Sequence, residues 1–392
     1  MKYIILGTYI DVVQNPEYQN VVNSNDPAAN NYQGWLVDGL KKNGVLIKNI
    51  SFKTIIKDID VLKQDIIRNI GCNESLTIKK KNIYINHFQR IKHFRSQLSE
   101  CLSKDDVIIV YSLSLPVLIT TIQSAKKYNN KICVIIPDLP LHMSSNKSII
   151  YRGLKHMDNF MTKAILKYCS HFVLLSEHMK SYIPKKHQNN YIIIEGAYNS
   201  NITANANCEY IQSKPYILYS GTLNQRYGIR NLIEAFTLTS IDYNLVICGN
   251  GSTSEKKYIY DMANKDFRIK YIGSIDYKDV LYLQQSASLL INPRNNKGEF
   301  TKYSFPSKTM EYLASGTPTL LYRLDGIPNE YYNYCYSING HDDSIETLAN
   351  KIVEILSNMD RSIGCKAKEF IYTHKTGEAQ AKKIIKYINE LV

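Results

Sequence analysis

Tyr303-Ser-Phe-Pro-Ser-Lys-Thr-Met-Glu-Tyr-Leu-Ala-Ser-Gly-Thr-Pro318 reads as a helix with both ends marked. Pro306 suits the first turn, where its missing N–H costs nothing. Gly316 and Pro318 stop the helix after Ala314. The free N–H groups of the first turn, with the positive end of the helix dipole, make a ready anion site. Ser307 adds a hydroxyl there, and Lys308 adds a point charge suited to phosphate. Glu311 lies one turn beyond Ser307 on nearly the same face, where a carboxylate can accept hydrogen bonds from two adjacent ribose hydroxyls. From the residues alone two readings stand. One is a helix that holds a diphosphate at its tip and a ribose alongside; the other is a proline-started surface helix with a solvated glutamate.

Strands and helices alternate on both sides of this segment. In the second half, strands are expected at Tyr216–Ser220, Asn244–Cys248, Ile269–Ile272, Ala287–Asn292 and Thr319–Tyr322, with helices at Ile229–Phe236 and Tyr277–Gln285 between them. In the first half, short apolar runs occur at Tyr3–Leu6, Val107–Tyr111, Ile132–Ile136, Phe172–Leu175 and Tyr191–Ile194. Ile150, Leu154, Met157, Met161 and Ile165 recur at helical spacing and give one apolar face. This alternation argues for parallel sheets covered by helices on both faces. Ligands of open α/β sheets bind at the carboxyl ends of strands, and Gly221, Gly249 and Gly273 all fall at such ends. The segment Asn199–Pro215 has little apolar content and reads as a linker between two lobes.

At 392 residues the chain exceeds what one core usually supports, so two domains are expected. It is 44% hydrophobic and 21% charged, which excludes wholesale disorder. The net charge of +13 fits nucleic acid, an anionic membrane or a phosphorylated substrate as partner, or simply a Lys-, Asn- and Tyr-rich composition. No nucleic-acid-binding motif is present, so nucleic acid is not expected as partner. The eight cysteines form no CxxC pair, which leaves no support for a zinc ribbon; reduced, buried thiols and a cytoplasmic location are expected. The run at Tyr3–Leu6 is too short for a signal-peptide core, and the apolar stretch from Val107 to Ile122 is broken by Ser112, Ser114 and Pro116. Two basic stretches stand out, Lys79–Arg95 and Tyr151–Lys167, the second with Phe160 and Met161 among its charges. Each fits either a solvated helix or a peripheral contact with an anionic membrane.

The Phe-Pro-Ser-Lys helix resembles the donor-site helix of retaining glycosyltransferases with the GT-B fold, the group 1 or family 4 class. The likeness takes in Tyr219-Ser-Gly-Thr-Leu-Asn-Gln-Arg-Tyr-Gly-Ile229, Val246-Ile-Cys-Gly-Asn-Gly251, Tyr271-Ile-Gly273 and Leu290-Ile-Asn-Pro-Arg294, in family order. Transferases that assemble surface polysaccharides are especially similar. The resemblance implies two Rossmann-like lobes whose parallel sheets face each other across a cleft. Residues 1–200 would form the acceptor lobe and 201–370 the nucleotide-sugar lobe, with a helix at 371–392 packing back toward the first lobe. It also implies transfer from a nucleotide diphosphate sugar to a glycan or lipid-linked acceptor with retained configuration. Lobe closure would exclude water, and neither cofactor nor metal would be needed.

Residue by residue, the resemblance assigns the donor ribose to Glu311. The family's other glutamate falls at Tyr303, which is not acidic; Glu299, four residues earlier, is the candidate substitute. The family's Arg after the first glycine is Thr222 here, and its Lys is Tyr227, so Arg226 is the loop cation left for the diphosphate. Ser304, Phe305, Pro306, Ser307 and Thr309 complete the donor set beside Gly221, Gly249 and Gly273. Lys308 and Arg226 are the expected catalytic cations, joined by Asp138 and His142 from Ile136-Pro-Asp-Leu-Pro-Leu-His142. Asp26, Asn30 and Gln33 either contact acceptor hydroxyls or form a turn and a helix cap. A sugar-nucleotide epimerase of the same fold, and a non-catalytic nucleic-acid binder, are the alternative functions.

Overall fold

The computed structural model describes residues 1–14, 16–19, 27–55, 66–70, 74–80, 83–139, 149–205, 210 and 212–390. The chain divides into two compact units: Met1–Ala197 together with Gly377–Val392, and Tyr198–Thr376.

The first unit is built on eight described strands. They are β1 (Tyr3–Gly7), β2 (Ile47–Ile55), β3 (Ile66–Ile70), β4 (Glu74–Lys80), β5 (Val107–Tyr111), β6 (Lys131–Ile136), β7 (His171–Leu174) and β8 (Ile192–Ile193), in the sheet order β3-β4-β2-β1-β5-β6-β7-β8. The central strands β1 and β5 are apolar throughout and buried at every position, as a sheet covered on both faces requires. Helices α1 (Pro27–Lys42), α2 (Ile83–Cys101), α3 (Leu115–Ala125) and α4 (Ile149–Ile165) follow strands along the chain. The terminal helix α11 (Gly377–Glu390) packs on α1, where Ala381, Ile384 and Ile388 join Leu36, Val37 and Leu40 in one core.

Two features of this unit depart from the sequence expectation. No strand was expected between Leu6 and Val107, yet β2, β3 and β4 lie there. The hidden signal is clearest in β2, whose polar Asn49, Ser51 and Lys53 are buried and so mask the strand's apolar pattern. Nor is the sheet wholly parallel, because β3 runs antiparallel to β4. Only three residues join them, and a link that short permits an antiparallel turn but no parallel crossover.

The second unit carries a six-stranded sheet, all of whose described pairings are parallel. Its strands are β9 (Tyr216–Ser220), β10 (Asn244–Cys248), β11 (Ile269–Tyr271), β12 (Leu289–Asn292), β13 (Thr319–Tyr322) and β14 (Tyr336–Ile338), in the order β11-β10-β9-β12-β13-β14. Between and after them come α5 (Ile229–Thr237), α6 (Thr253–Lys265), α7 (Tyr277–Ser286), α8 (Ser307–Ser315), α9 (Ile345–Ser357) and α10 (Ser362–His374). The strand order reverses direction at β9 and β12, a switch point of the kind that opens a crevice at the carboxyl ends of strands. Among the described residues no helix is long and apolar enough to cross a membrane.

Candidate functional site

The carboxyl ends of β9, β10 and β11 are tied together by the backbone N–H groups of two glycines. Gly221 N donates to Cys248 O at 3.0 Å, and Gly249 N donates to Gly273 O at 2.8 Å. Gly249 has φ +141°, and a Cβ there would lie 1.8 Å from the Gly221 carbonyl oxygen. Only glycine permits that approach. The loops beyond continue the contact, with Leu223 N donating to Asn250 O at 2.8 Å. The result is a close-packed floor of backbone. Thr222 and Arg226 are exposed above it in the loop after β9.

Helix α8 begins at Ser307, with Pro306 as the residue before its first turn. Ser307 is exposed, and Lys308 and Glu311 are half-buried on the same side. Lys308 Nζ lies 2.5 Å from Glu311 Oε1. Two residues that the sequence reading missed, Tyr277 and Gln284, complete the seat. The Tyr277 hydroxyl donates to Glu311 Oε2 at 3.1 Å, and Gln284 Nε2 donates to Glu311 Oε1 at 2.5 Å. Gln284 also donates to Ser220 Oγ at 2.9 Å, and the Tyr312 hydroxyl takes the Ser220 N–H at 2.8 Å. Burial, and next the Glu311 charge, push the Tyr277 hydroxyl well above its usual pKa, so it stays a donor. Tyr277 and Gln284 stand seven apart on α7, two helical turns, which is the signal that could have found them. Burial pushes the nearby Cys248 thiol up to about 12, against the pull of Lys308, which leaves it a packing residue.

The remaining expected donor residues differ in their placement. Thr309 is fully buried. Two positions beyond Ser307 on a helix is about 200° of rotation, so Thr309 faces the core and not the anion-binding turn. The partly buried Phe305 ring packs against Tyr331 at 5.2 Å between centroids, at the edge of the core. Ser304 receives a hydrogen bond from Arg294 Nη2 at 2.8 Å and donates to Phe300 O. Tyr303 ends a short 3-10 turn that Glu299 begins; Glu299 is exposed there and Tyr303 half-buried. Arg226 lies over the Phe300 ring of that turn, 3.4 Å from its centroid, and Arg294 lies over the same ring at 4.7 Å. Arg294 was visible in the sequence only as the last residue of a family-like run.

In the first unit, Asp138 is exposed two residues past β6. His142 and Asp26 lie outside the described residues. Asn30 and Gln33 are buried, which corrects their reading as acceptor contacts. Asn30 exchanges two hydrogen bonds with the Ile10 backbone, at 2.8 and 2.9 Å. Gln33 Oε1 accepts the Thr8 N–H at 2.9 Å, and its amide donates to Thr8 Oγ1 and Ala29 O. Both side chains satisfy the loop after β1, whose buried backbone groups need partners.

Comparison with known proteins agrees with this architecture. Residues 207–388 match the family described as glycosyl transferases group 1. Sucrose-phosphate synthase from Thermosynechococcus elongatus superposes with a TM-score of 0.65 at 17% identity, covering 100% of this chain and 99% of that one. Anabaena HepE in complex with UDP gives 0.67 at 12% identity with both chains covered in full. The lipopolysaccharide outer core galactosyltransferase WaaB gives 0.62 at 13%, again with both chains covered in full. No curated protein matches the chain by sequence.

Proposed function

We propose that this chain, which has the GT-B fold of the group 1 glycosyl transferases, moves a sugar from a nucleoside diphosphate donor to a glycan or lipid-linked acceptor, with retention of configuration, in the synthesis of a surface polysaccharide. The observation that carries the reading is the seating of Glu311. A half-buried carboxylate on α8 is held by Tyr277, Gln284 and Lys308 beside the glycine floor of three strand ends. Such a carboxylate is pre-oriented to accept two vicinal ribose hydroxyls. With ribose on Glu311, Lys308 and the N-terminal turn of α8 would meet the diphosphate, and Arg226 in the loop after β9 is the further cation for it. Chemistry would rest on these cations stabilising the departing diphosphate more than the bound donor. HepE is described in complex with UDP and with UDP-glucose, which supports a uridine donor as the first to try.

Helix α4 supports a peripheral contact with an anionic membrane on its cytoplasmic side. Its described buried face is polar, with Asn159 and Thr162, while Met157, Phe160 and Met161 are exposed. Exposed Lys163 and Lys167 flank them. An apolar face turned to solvent beside cations suits an interfacial helix.

Incubation with labelled nucleotide sugars and a lipid or glycan fraction tests the activity. Label in the acceptor, with an equal amount of nucleoside diphosphate released, supports it. An altered sugar nucleotide formed from donor alone points to an epimerase and contradicts it.

A further inference from the structure

The chain passes from one unit to the other at Ala197–Tyr198 and again at Thr376–Gly377. These two crossings are tied together. The Tyr198 N–H donates to Lys375 O at 2.8 Å, and Tyr198 and Thr376 form an isolated parallel bridge. Lys375 anchors the pair from inside the second unit. Its side chain is buried, with Nζ 2.6 Å from Glu330 Oε1 and 4.7 Å from the centroid of the Tyr331 ring.

The side chain of Tyr198 leads toward Glu311, within the same unit. Its ring lies in the core of that unit and packs on Tyr372, 5.4 Å between centroids. Burial, then the Tyr372 hydroxyl and the Glu311 charge, push the Tyr198 hydroxyl well above its usual pKa, so it stays protonated. Tyr277, which donates to Glu311, feels Tyr198 as well. One residue thus has its backbone in the crossing and its hydroxyl within electrostatic reach of the seat.

That seat is nearly full. A carboxylate offers about four lone-pair sites. Lys308, Gln284 and Tyr277 already donate to Glu311. Two ribose hydroxyls exceed what is left, so one present donor must yield. Gln284 is fully buried and also holds Ser220, and Lys308 carries the charge that matches the carboxylate. Tyr277 is neutral and 40% exposed, which makes it the donor that moves.

We propose that Tyr277 and Tyr198 form a relay from the seat to the crossing: ribose hydroxyls on Glu311 displace the Tyr277 hydroxyl, which turns to Tyr198 and stiffens the paired crossing. Both act as positioning residues, and the inference rests on the nucleotide reading above. Linkage makes the effect reciprocal, so a crossing held firm favours an occupied seat.

Hydrogen–deuterium exchange of the full chain, read in the peptides that span Tyr198 and Thr376, tests this. Calorimetric titration with UDP, ADP and GDP, and with the 2′-deoxy form of the one that binds, runs beside it. At saturation the ribonucleotide should slow exchange at the crossing roughly threefold or more. The 2′-deoxy form brings one donor fewer, fits the remaining site and should leave exchange unchanged. Tyr198→Phe keeps the ring and loses the hydroxyl. It should bind the ribonucleotide within about tenfold of wild type, the worth of a single neutral hydrogen bond, and lose the slowing. If Tyr198→Phe does not fold, Tyr277→Phe at saturating ribonucleotide carries the same expectation of lost slowing. A wild-type chain that binds a nucleotide without slowing overturns the relay. Slowing that persists in the variant, or that the 2′-deoxy form also produces, overturns it too. A wild-type chain that binds none of the diphosphates overturns the nucleotide reading itself.

Discussion

Glu311 has three donors on its two oxygens, one from its own helix and two from a neighbouring one. Lys308 is three residues away on the same helix, whereas Tyr277 and Gln284 are on α7. The sequence reading named Lys308 and Glu311 for separate parts of the donor, and it anticipated neither their pairing nor Tyr277 and Gln284, since spacing within one helix does not report which second helix packs beside it. Thr309 was misplaced for the complementary reason: proximity in sequence was read as proximity to the site, against the rotation of the helix. Glu311→Gln should leave the fold intact and weaken donor binding roughly 10- to 100-fold, since a hydrogen bond to a charged group is worth about 1.5–3 kcal/mol. Equilibrium titration with the donor measures it, and wild-type affinity would remove Glu311 from the site. Lys308→Ala should lower the turnover number more than it raises the Michaelis constant, because its charge is needed most as the diphosphate leaves. Single-turnover rates at saturating donor separate the two, and an unchanged chemical step would reduce Lys308 to a binding contact.

At the scale of elements, the strands that were legible were the apolar ones. β1, β5, β6, β9, β10 and β12 are uninterrupted apolar runs or nearly so, and burial on both faces explains why. β2 was not legible, since it carries buried Asn49, Ser51 and Lys53. Helix α4 was legible as a helix, but Met157, Phe160 and Met161 face solvent where a core face would be the ordinary reading. The α1–α11 packing adds a constraint that no periodicity reports. Gly39 sits inside α1, and a Cβ there would lie 2.2 Å from the Gly377 carbonyl oxygen and 2.8 Å from the Ala381 Cβ. In an exposed helix Gly→Ala stabilises by about 1 kcal/mol. Gly39→Ala should instead destabilise, by about 1–3 kcal/mol, because the backbone of α11 cannot yield without overpacking. Denaturant unfolding gives the sign directly, and a stabilised variant would show that α11 does not approach as described.

At the scale of the molecule, each unit has its own sheet and its own core, and the candidate donor residues on α7, α8 and the loops after β9 and β12 all belong to Tyr198–Thr376. That unit is one continuous stretch of chain, and it coincides for the most part with the region matching the group 1 glycosyl transferases. A ligand that binds the folded chain and not the unfolded one raises its stability by about 2.7 kcal/mol at a hundred times its dissociation constant. The central claim is that this chain binds a nucleoside diphosphate sugar through the seat around Glu311. Thermal denaturation of the wild type and of Glu311→Gln against a panel of nucleosides, nucleoside diphosphates and their sugars tests it most directly. The account predicts that at least one nucleoside diphosphate sugar raises the melting temperature of the wild type, and raises that of Glu311→Gln much less at equal concentration. No shift with any member of the panel, or the same shift in both proteins, would contradict it.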